Sequence, residues 1–344
     1  MQAPLRIVRH RLGAAGNAGP VAVHSLGGLA YGRGTGAHAD GWHALGARAL
    51  LASGDRLDHW ESAAPVREGR TGCVRWRATS DWLFGAADLG DAEESLGVEA
   101  LAHRAYGDLF ATLRAHGQPQ LMRIWNYLPR ITGLAAAEGG SMERYRLFNS
   151  GRQRAFIEAG QRTFEGAPAA CALGLPQGSG LTLRFVAGHT AVRAIENPRQ
   201  VPAWRYPRDY GPRAPTFSRA ALADLGAGQL ALLVSGTASI VGHASQHPGD
   251  TPAQLAETLR NLQAVFEAAR AQCDAPFALE DSEPVVYLRH AEQAEAVREG
   301  LARALGADSR FLRSAVYLQA EVCRPELDIE IETHACAPGQ LRPL

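Results

Sequence analysis

Residues 327–332 read L-D-I-E-I-E. Strand spacing puts Leu327, Ile329 and Ile331 on one face and Asp328, Glu330 and Glu332 on the other. Three carboxylates on one strand face repel one another unless something pairs or uses them. A partly buried glutamate between two other acids has its pKa raised, so it keeps a proton to donate near neutral pH. Glu330 is the middle residue of the three. The plainer alternative is an edge strand with a solvated acidic face. Just upstream, Arg324-Pro325 breaks the ladder, because proline donates no backbone hydrogen bond and fixes its own φ. Ahead of that break, residues 314–322 are apolar, β-branched and aromatic, the content of another buried strand.

A second stretch with chemical content is residues 196–219, ENPRQVPAWRYPRDYGPRAPTFSR, with five prolines, five arginines and two tyrosines. So much proline forbids a regular element, and a loop this long in a compact protein is functional or a linker. Its arginines and aromatics favour function; a connector that lays its arginines over apolar surface is the alternative. The chain contains no lysine. Arginine offers a planar fork for carboxylates and is a poor Schiff-base donor, so an anionic small-molecule partner fits, unless codon usage alone explains the bias.

The 35 basic and 35 acidic residues balance, which argues against nucleic acid or an anionic membrane as partner. Cys73, Cys171, Cys273, Cys323 and Cys336 are odd in number and far apart, with no C-x-x-C. That pattern argues for a reducing compartment and against a disulfide framework or zinc site. The N-terminal residues have no apolar leader, and no apolar run approaches the ~18 residues of a membrane span. A cytoplasmic protein is expected.

The elements that must position these groups are legible in part. Residues 1–90 mix short strand-like runs (5–8, 21–24) with glycine-rich turns and four of the tryptophans. From about residue 93 the period becomes helical, with Val98, Leu101, Ala105, Leu109 and Leu113 on one face and Gly117 as the stop. A strand at 121–127, a helix at 142–159, and strands at 169–173 and 181–186 follow. Beyond the proline-rich stretch come strands at 229–236 and 238–242. Thr251-Pro252 then starts a helix, with Thr251 as N-cap and Gln254 completing a capping box. A strand at 285–288, a helix at 291–305 and the two closing strands complete the chain. The order β-β-α-β-α-β-β from residue 229 repeats the α-β-α-β-β string of 93–186. This predicts an α+β fold built by a diverged internal duplication.

Other motifs carry less. Gly32, Gly34 and Gly36 lack the strand, helix and lysine of a nucleotide-binding loop. His243 and His247 have metal spacing only on a helix, and Pro248-Gly249 follows at once. Gly178-Ser179-Gly180 is not a nucleophile elbow.

Residues 229–332 resemble a RidA (YjgF-type) domain, of chorismate mutase-like architecture. The resemblance rests on LLVSGTAS, the capped helix at Thr251, VVYL, RSAVYL and the terminal I-E-I-E after an R-P turn. It implies two RidA-like units: residues 1–215, with the glycine-rich N-terminal segment, and residues 216–344. Those trimeric proteins hold a carboxylate pocket between subunits, with an arginine and a glutamate that match Arg313 and Glu330. The R-P-x-L segment here is longer than the family's turn. The chain would be a monomer, supplying its own neighbouring surfaces, or a homotrimer.

Most of residues 120–335 resembles the chorismatases, chorismate-cleaving enzymes of secondary metabolism. The carrying strings are ERYRLFNSGR, ENPRQVPAWRYPRDYGPRAPTFSRA, SGTASIVGHAS and EVCRPELDIEIE. The resemblance implies cleavage of the enolpyruvyl ether of chorismate to pyruvate, with no metal or cofactor. Protonating the ether's methylene carbon needs an acid, which Glu330 supplies. The dianionic substrate needs fixed cations, for which Arg313, Arg213, Arg219 and Arg152 are candidates, with Tyr206 and Tyr210 as hydrogen-bond donors or walls. In the family, glycine in the S-G-T-A-S strand with cysteine before R-P accompanies an aromatic product. Gly236 and Cys323 thus imply 3-hydroxybenzoate, with 4-hydroxybenzoate as a second product. Cys323 is alternatively a small core residue. Rival readings are the hydrolase branch that releases a dihydroxycyclohexadiene carboxylate, a RidA-type 2-imino acid deaminase, and a non-catalytic metabolite-binding protein.

Overall fold

The computed structural model describes residues 3–11, 24–31, 47–51, 56–90, 95–117, 119–175 and 180–343. The glycines at 32, 34 and 36, and Gly178-Ser179, lie outside the described residues. The chain opens with strands β1 (Leu5–Arg11), β2 (His24–Tyr31), β3 (Arg48–Leu50), β4 (Arg56–Ser62), β5 (Arg67–Thr71), β6 (Val74–Ala78) and β7 (Trp82–Leu89). Helix α1 (Val98–Ala115), β8 (Gln120–Pro129), the hairpin β9 (Leu134–Ala137) and β10 (Gly140–Glu143), and α2 (Arg144–Glu158) follow. Then come β11 (Ala169–Leu175), β12 (Leu181–Gly188) and β13 (Val192–Ile195). After the proline-rich stretch lie β14 (Ala220–Gly226), β15 (Gln229–Ala238), the two-residue strands β16 (Ile240–Val241) and β17 (Ala244–Ser245), and α3 (Thr251–Arg270). The chain closes with β18 (Glu283–Leu288), α4 (Ala294–Leu305), α5 (Arg310–Ser314), β19 (Val316–Gln319) and β20 (Ile329–Pro338).

Two large sheets carry the molecule, one ordered β11-β8-β12-β7-β6-β5 and the other β13-β14-β15-β20-β18-β19-β3. Five strands of each share one topology: β11-β8-β12-β7-β6 corresponds to β19-β18-β20-β15-β14. In each set the first pair is parallel and the rest antiparallel. The sheets do not divide at residue 215, because β3 and β13 both join the seven-stranded one.

Helices cover one face of each sheet. The α1 stripe Val98, Leu101, Ala105, Leu109 and Leu113 is buried against β7, β8 and β12, as its spacing requires. Gly117, at φ 78°, follows the end of this helix in the left-handed region that glycine tolerates. Helix α3 buries Leu255, Leu262, Val265 and Phe266 against Leu230, Leu232, Val234, Ile329 and Ile331. Its cap differs from the expectation. Asp250 is the N-cap, accepting from the Ala253 amide at 3.0 Å, and Thr251 is the first helical residue. The Thr251 hydroxyl is thereby free for two acceptors, Gln293 Oε1 at 2.7 Å and Asp328 at 3.0 Å.

The other faces of the two sheets meet each other and the small sheet β1-β4-β2 in a third core, which includes Trp60, Trp125, Tyr127, Leu233 and Tyr287. Because Ile329 and Ile331 face α3, strand alternation turns Glu330 and Glu332 inward. Asp328 precedes the strand and turns to α3 instead, so the expected face of three acids is a face of two.

Residues 314–322 form less strand than expected. Ser309 caps a short helix by accepting from the Leu312 amide, and the strand proper runs only from Val316 to Gln319. No helix among the described residues is long and apolar enough to cross a membrane. All five cysteines are unpaired.

Candidate active site

A cavity of about 220 Å³ opens where the seven-stranded sheet, the start of α2 and the proline-rich stretch converge. Its wall combines the start of α2 (Tyr145, Arg146), the proline-rich stretch (Tyr206, Tyr210, Phe217, Arg219), the end of β15 (Gly236, Ala238) and residues Cys323–Glu326 with Glu330. The proline-rich stretch holds its shape without regular structure beyond two 3₁₀ turns, Ala203–Arg205 and Arg208–Tyr210. It is bolted to α3, with Asn197 Nδ2 donating to the Asn261 carbonyl and Arg199 to Asn261 and Glu257. Backbone bonds to Gly242 on both sides of Gln200 complete the anchorage.

Glu330 is the chemical centre of this wall. It is buried, its carboxyl lies against Gly236, and among the described residues that carboxyl has no hydrogen-bond partner. Burial, and then the neighbouring Glu332, push its pKa up to about 8. It therefore carries a proton at neutral pH. Glu332 stands in the opposite situation. It accepts from Arg123 Nη2 and, at 2.9 Å, from the Tyr287 hydroxyl.

Gly236 sits where β15 bulges, the register slipping between Val234 and Thr237. A methyl group built on it would overlap Glu330 Oε1 and come within 3.2 Å of Cys171 Cβ. The room that glycine leaves is thus taken by the acid's own carboxyl. Cys323, also in the wall, packs against Ala238, Ile240 and Leu327. Burial and the nearby Glu330 push its thiol up to about 12, so it stays a neutral S–H and not a proton acceptor.

Positive charge comes from Arg146, Arg219 and Arg324. Arg324 donates to the His243 carbonyl (2.9 Å) and Ser245 Oγ (3.0 Å), and its guanidinium lies 4.2 Å from the Tyr210 ring centroid and 5.3 Å from that of Tyr206. Arg219 donates to the Val201 carbonyl and the Tyr206 hydroxyl, and its buried Nε has no partner. The two tyrosines, then, hold guanidinium groups in place as well as forming wall. The three lining glutamates balance the three arginines only if Glu330 is ionised. With its proton in place, the wall is net positive and suits an anion.

The other expected cations lie elsewhere. Arg313 is exposed at the end of α5, donates to the Asp308 carbonyl and does not line the cavity. It stands at the far end of β19 from Cys323, away from the cavity that Glu330 lines. Arg213 is exposed and also outside the wall. Arg152 lies in α2, 5.1 Å from the Tyr106 ring and 5.4 Å from Phe156, fully buried outside the wall, with Nε and Nη2 unpartnered. Arg324, Arg146, Tyr145, Arg123 and Glu332's pairing escaped the sequence reading. The first three lie inside the strings E-V-C-R-P and E-R-Y-R, where their adjacency to singled-out residues was the available signal.

A family profile described as "Chorismatase FkbO/Hyg5-like, N-terminal" matches residues 58–187. A 3-hydroxybenzoate synthase of Streptomyces hygroscopicus is 39% identical over 286 residues, covering 79% of this chain and 79% of the relative. A chorismatase of Streptomyces rapamycinicus is 35% identical over 279 residues, covering 79% and 80%. The chain belongs to the chorismatase family. A crystal structure of a chorismatase matches with a TM-score of 0.83 at 28% identity, over 97% of this chain and 99% of that one. In this chorismatase, the strings that carried the resemblance converge on the cavity from separate elements. E-R-Y-R comes from the end of β10 and the start of α2, the proline-rich string from the connector, and the glycine and glutamate from paired strands β15 and β20.

Proposed function

We propose that this enzyme cleaves the enolpyruvyl ether of chorismate and releases pyruvate and mainly 3-hydroxybenzoate, with 4-hydroxybenzoate as a minor product. The observation that carries the reading is a buried glutamate without a hydrogen-bond partner, its pKa pushed up to about 8 by burial, in a wall whose remaining charge is positive. Glu330 delivers its proton to the methylene carbon, which becomes pyruvate's methyl group. The ring hydroxyl then displaces the ether oxygen from the ring; that carbon–oxygen bond breaks and the oxygen becomes pyruvate's carbonyl. The hydroxyl's proton returns to Glu330, leaving its oxygen bridging the two ring carbons as an epoxide. Opening the bond to the carbon that first bore the hydroxyl, with the other carbon's hydrogen lost as a proton and the oxygen protonated, gives 3-hydroxybenzoate. Opening the other bond gives 4-hydroxybenzoate, and no water is consumed. The diol branch would consume one water, and Gly236 and Cys323 favour the aromatic branch by family pattern.

Arg219 and Arg324 are assigned to the substrate carboxylates, with Tyr206 and Tyr210 holding both guanidiniums and bordering the ring. Arg152, with two unpartnered nitrogens, is assigned a supporting charge behind Tyr145. Cys323 acts as a neutral wall and hydrogen donor beside the ring.

Two RidA-like units, meeting near residue 216 and descended from one duplicated unit, account for the repeated strand order. In that account β3 and β13 are the first unit's additions to the second sheet. One chain supplies the whole wall, which supports a site complete in a monomer, and we place the enzyme in the cytoplasm. The test is to incubate the protein with chorismate and follow pyruvate and ring products by chromatography. Pyruvate equal to the sum of the two hydroxybenzoates, with 3-hydroxybenzoate in excess, is expected. Absence of pyruvate overturns the function, and pyruvate with the diol overturns the product assignment.

A further inference from the structure

We propose that Glu332, held by Arg123 and Tyr287, is a positioning residue that keeps the proton on Glu330. The inference rests on Glu330 being the acid of the proposed reaction. The two glutamates occupy alternate positions of β20 and both point between the sheets. Arg123 reaches Glu332 from β8 of the other sheet, where strand alternation puts it on the same face as Trp125 and Tyr127. Tyr287, which pairs with Glu330 in the ladder, donates its hydroxyl to Glu332 and meets the Tyr127 hydroxyl at 2.8 Å.

Two carboxyls thus share one buried space, but the directly bonded donors all belong to one of them. Negative charge settles where donors are fixed, and a like charge nearby then opposes ionisation of the other group. Remaining groups facing Glu330 do not reverse this. Cys171 from β11 is a thiol raised well above its ordinary value by burial and Glu332. Cys323 and Tyr145, across the cavity, are likewise raised by burial and stay neutral. Arg123 and Arg219 pull Glu330 toward ionisation, yet burial and Glu332 outweigh them.

The Arg123–Glu332 pair also bridges the two sheets, so loss of activity alone would not separate the proposed role from a structural one. The separating measurement is the pH dependence of kcat, joined to infrared titration of the protonated carboxyl in substrate-free protein. Wild-type turnover should fall as pH rises through about 8, as Glu330 loses its proton. In Glu332→Gln, the fall should move about one to two pH units lower, because a like charge is gone and Arg123 is freed. A merely structural Glu332 would lower turnover and leave the fall at its wild-type pH, which would overturn the proposal.

Should that variant fail to fold around its orphaned arginine, Arg123→Met with Glu332→Gln removes both charges together. Its fall should move in the same direction by a smaller amount, since Glu332 acts on Glu330 more strongly than Arg123 does. An unmoved fall there also overturns the idea. The infrared band in question is the one lost in Glu330→Gln, and it needs no substrate. Failure to cleave chorismate therefore counts against the function, whereas an unmoved infrared titration counts against this inference.

Discussion

The two large sheets repeat one strand order but distribute charge differently. Tyr127 of β8 pairs with Thr182 of β12, and Tyr287 of β18 pairs with Glu330 of β20, so these mark corresponding places. Two residues on, Arg184 in the first sheet corresponds to Glu332 in the second. Arg184 is buried and satisfied locally, donating to Asp88 (2.8 Å) and to the carbonyls of Ala87 and Leu183. The second sheet instead has two carboxyls and takes its cation from the first, across the interface. One topology therefore accommodates both a closed charge cluster and an open one. A carboxyl left without donors in a buried space is what makes the second chemically useful.

The sharpest way to break this contrast is to change the corresponding residues. Glu330→Gln should fold, bind chorismate and lose about two to four orders of magnitude in kcat, measured by pyruvate release. Thr182→Val, in the matching place, should stay within about twofold of wild type. Comparable losses in both would mean the first sheet shares the chemistry. Near-normal turnover in Glu330→Gln would move the acid elsewhere.

The same substitution has a stability signature of known sign. Glu330's pKa is raised from 4.5 to about 8 on folding, so its ionisation opposes the folded state. That penalty is absent below the unfolded value, grows as pH rises from 4.5, and levels off above 8. Glu330→Gln should accordingly match wild type in Tm at pH 4 and exceed it increasingly toward pH 8. A constant difference across this range would show that Glu330 is not held protonated.

Next in size are the arginines. Removing one charge-assisted carboxylate contact costs about 1.5–3 kcal/mol, so Arg219→Met and Arg324→Met should each lower kcat/KM by roughly 10- to 100-fold. Arg313→Ala and Arg213→Ala, outside the wall, should change it by less than about twofold. Steady-state kinetics on the four variants would refute the assignment if the two pairs behaved alike.

Smaller effects are expected at Gly236 and Cys323. Gly236→Ala forces the Glu330 carboxyl aside and should slow chorismate consumption about tenfold, within the range for a misplaced acid. Cys323→Val should consume chorismate at close to the wild-type rate. The double variant should release a larger share of non-aromatic diol, read by chromatography. An unchanged product ratio in the double variant would return Cys323 to a packing role.

Several of these features were written locally and could be read without the fold. The α1 stripe, the proline-rich stretch and the alternation of residues 327–332 are short-range patterns, because helix and strand periods are fixed by backbone geometry. Gly117 as a helix stop belongs to the same class. At α3 the cap proved to be Asp250, and Gln254 completes no capping box: its side chain bonds the His247 and Glu326 carbonyls and the Asp328 amide. The repeated order of elements also came from local signals. Strand β14 was missed because Ala220–Gly226, an alanine-rich run, lacks the β-branched residues that mark strands.

Which side chains share a cavity was not written locally. Arg313 and Arg324 are eleven positions apart, yet one faces solvent and the other lies near two tyrosine rings. The short helix at Arg310–Ser314 and the turn after Val322 decide that, and both depend on packing. Glu330 and Glu332 look equivalent in I-E-I-E. Arg123, more than two hundred residues away, pairs with Glu332 only because β8 and β20 face each other across the interface. The sequence determined that two inward carboxyls would lie side by side. The tertiary structure decided which of them receives donors and which keeps a proton, because burial and ion pairing depend on neighbours that meet only through folding.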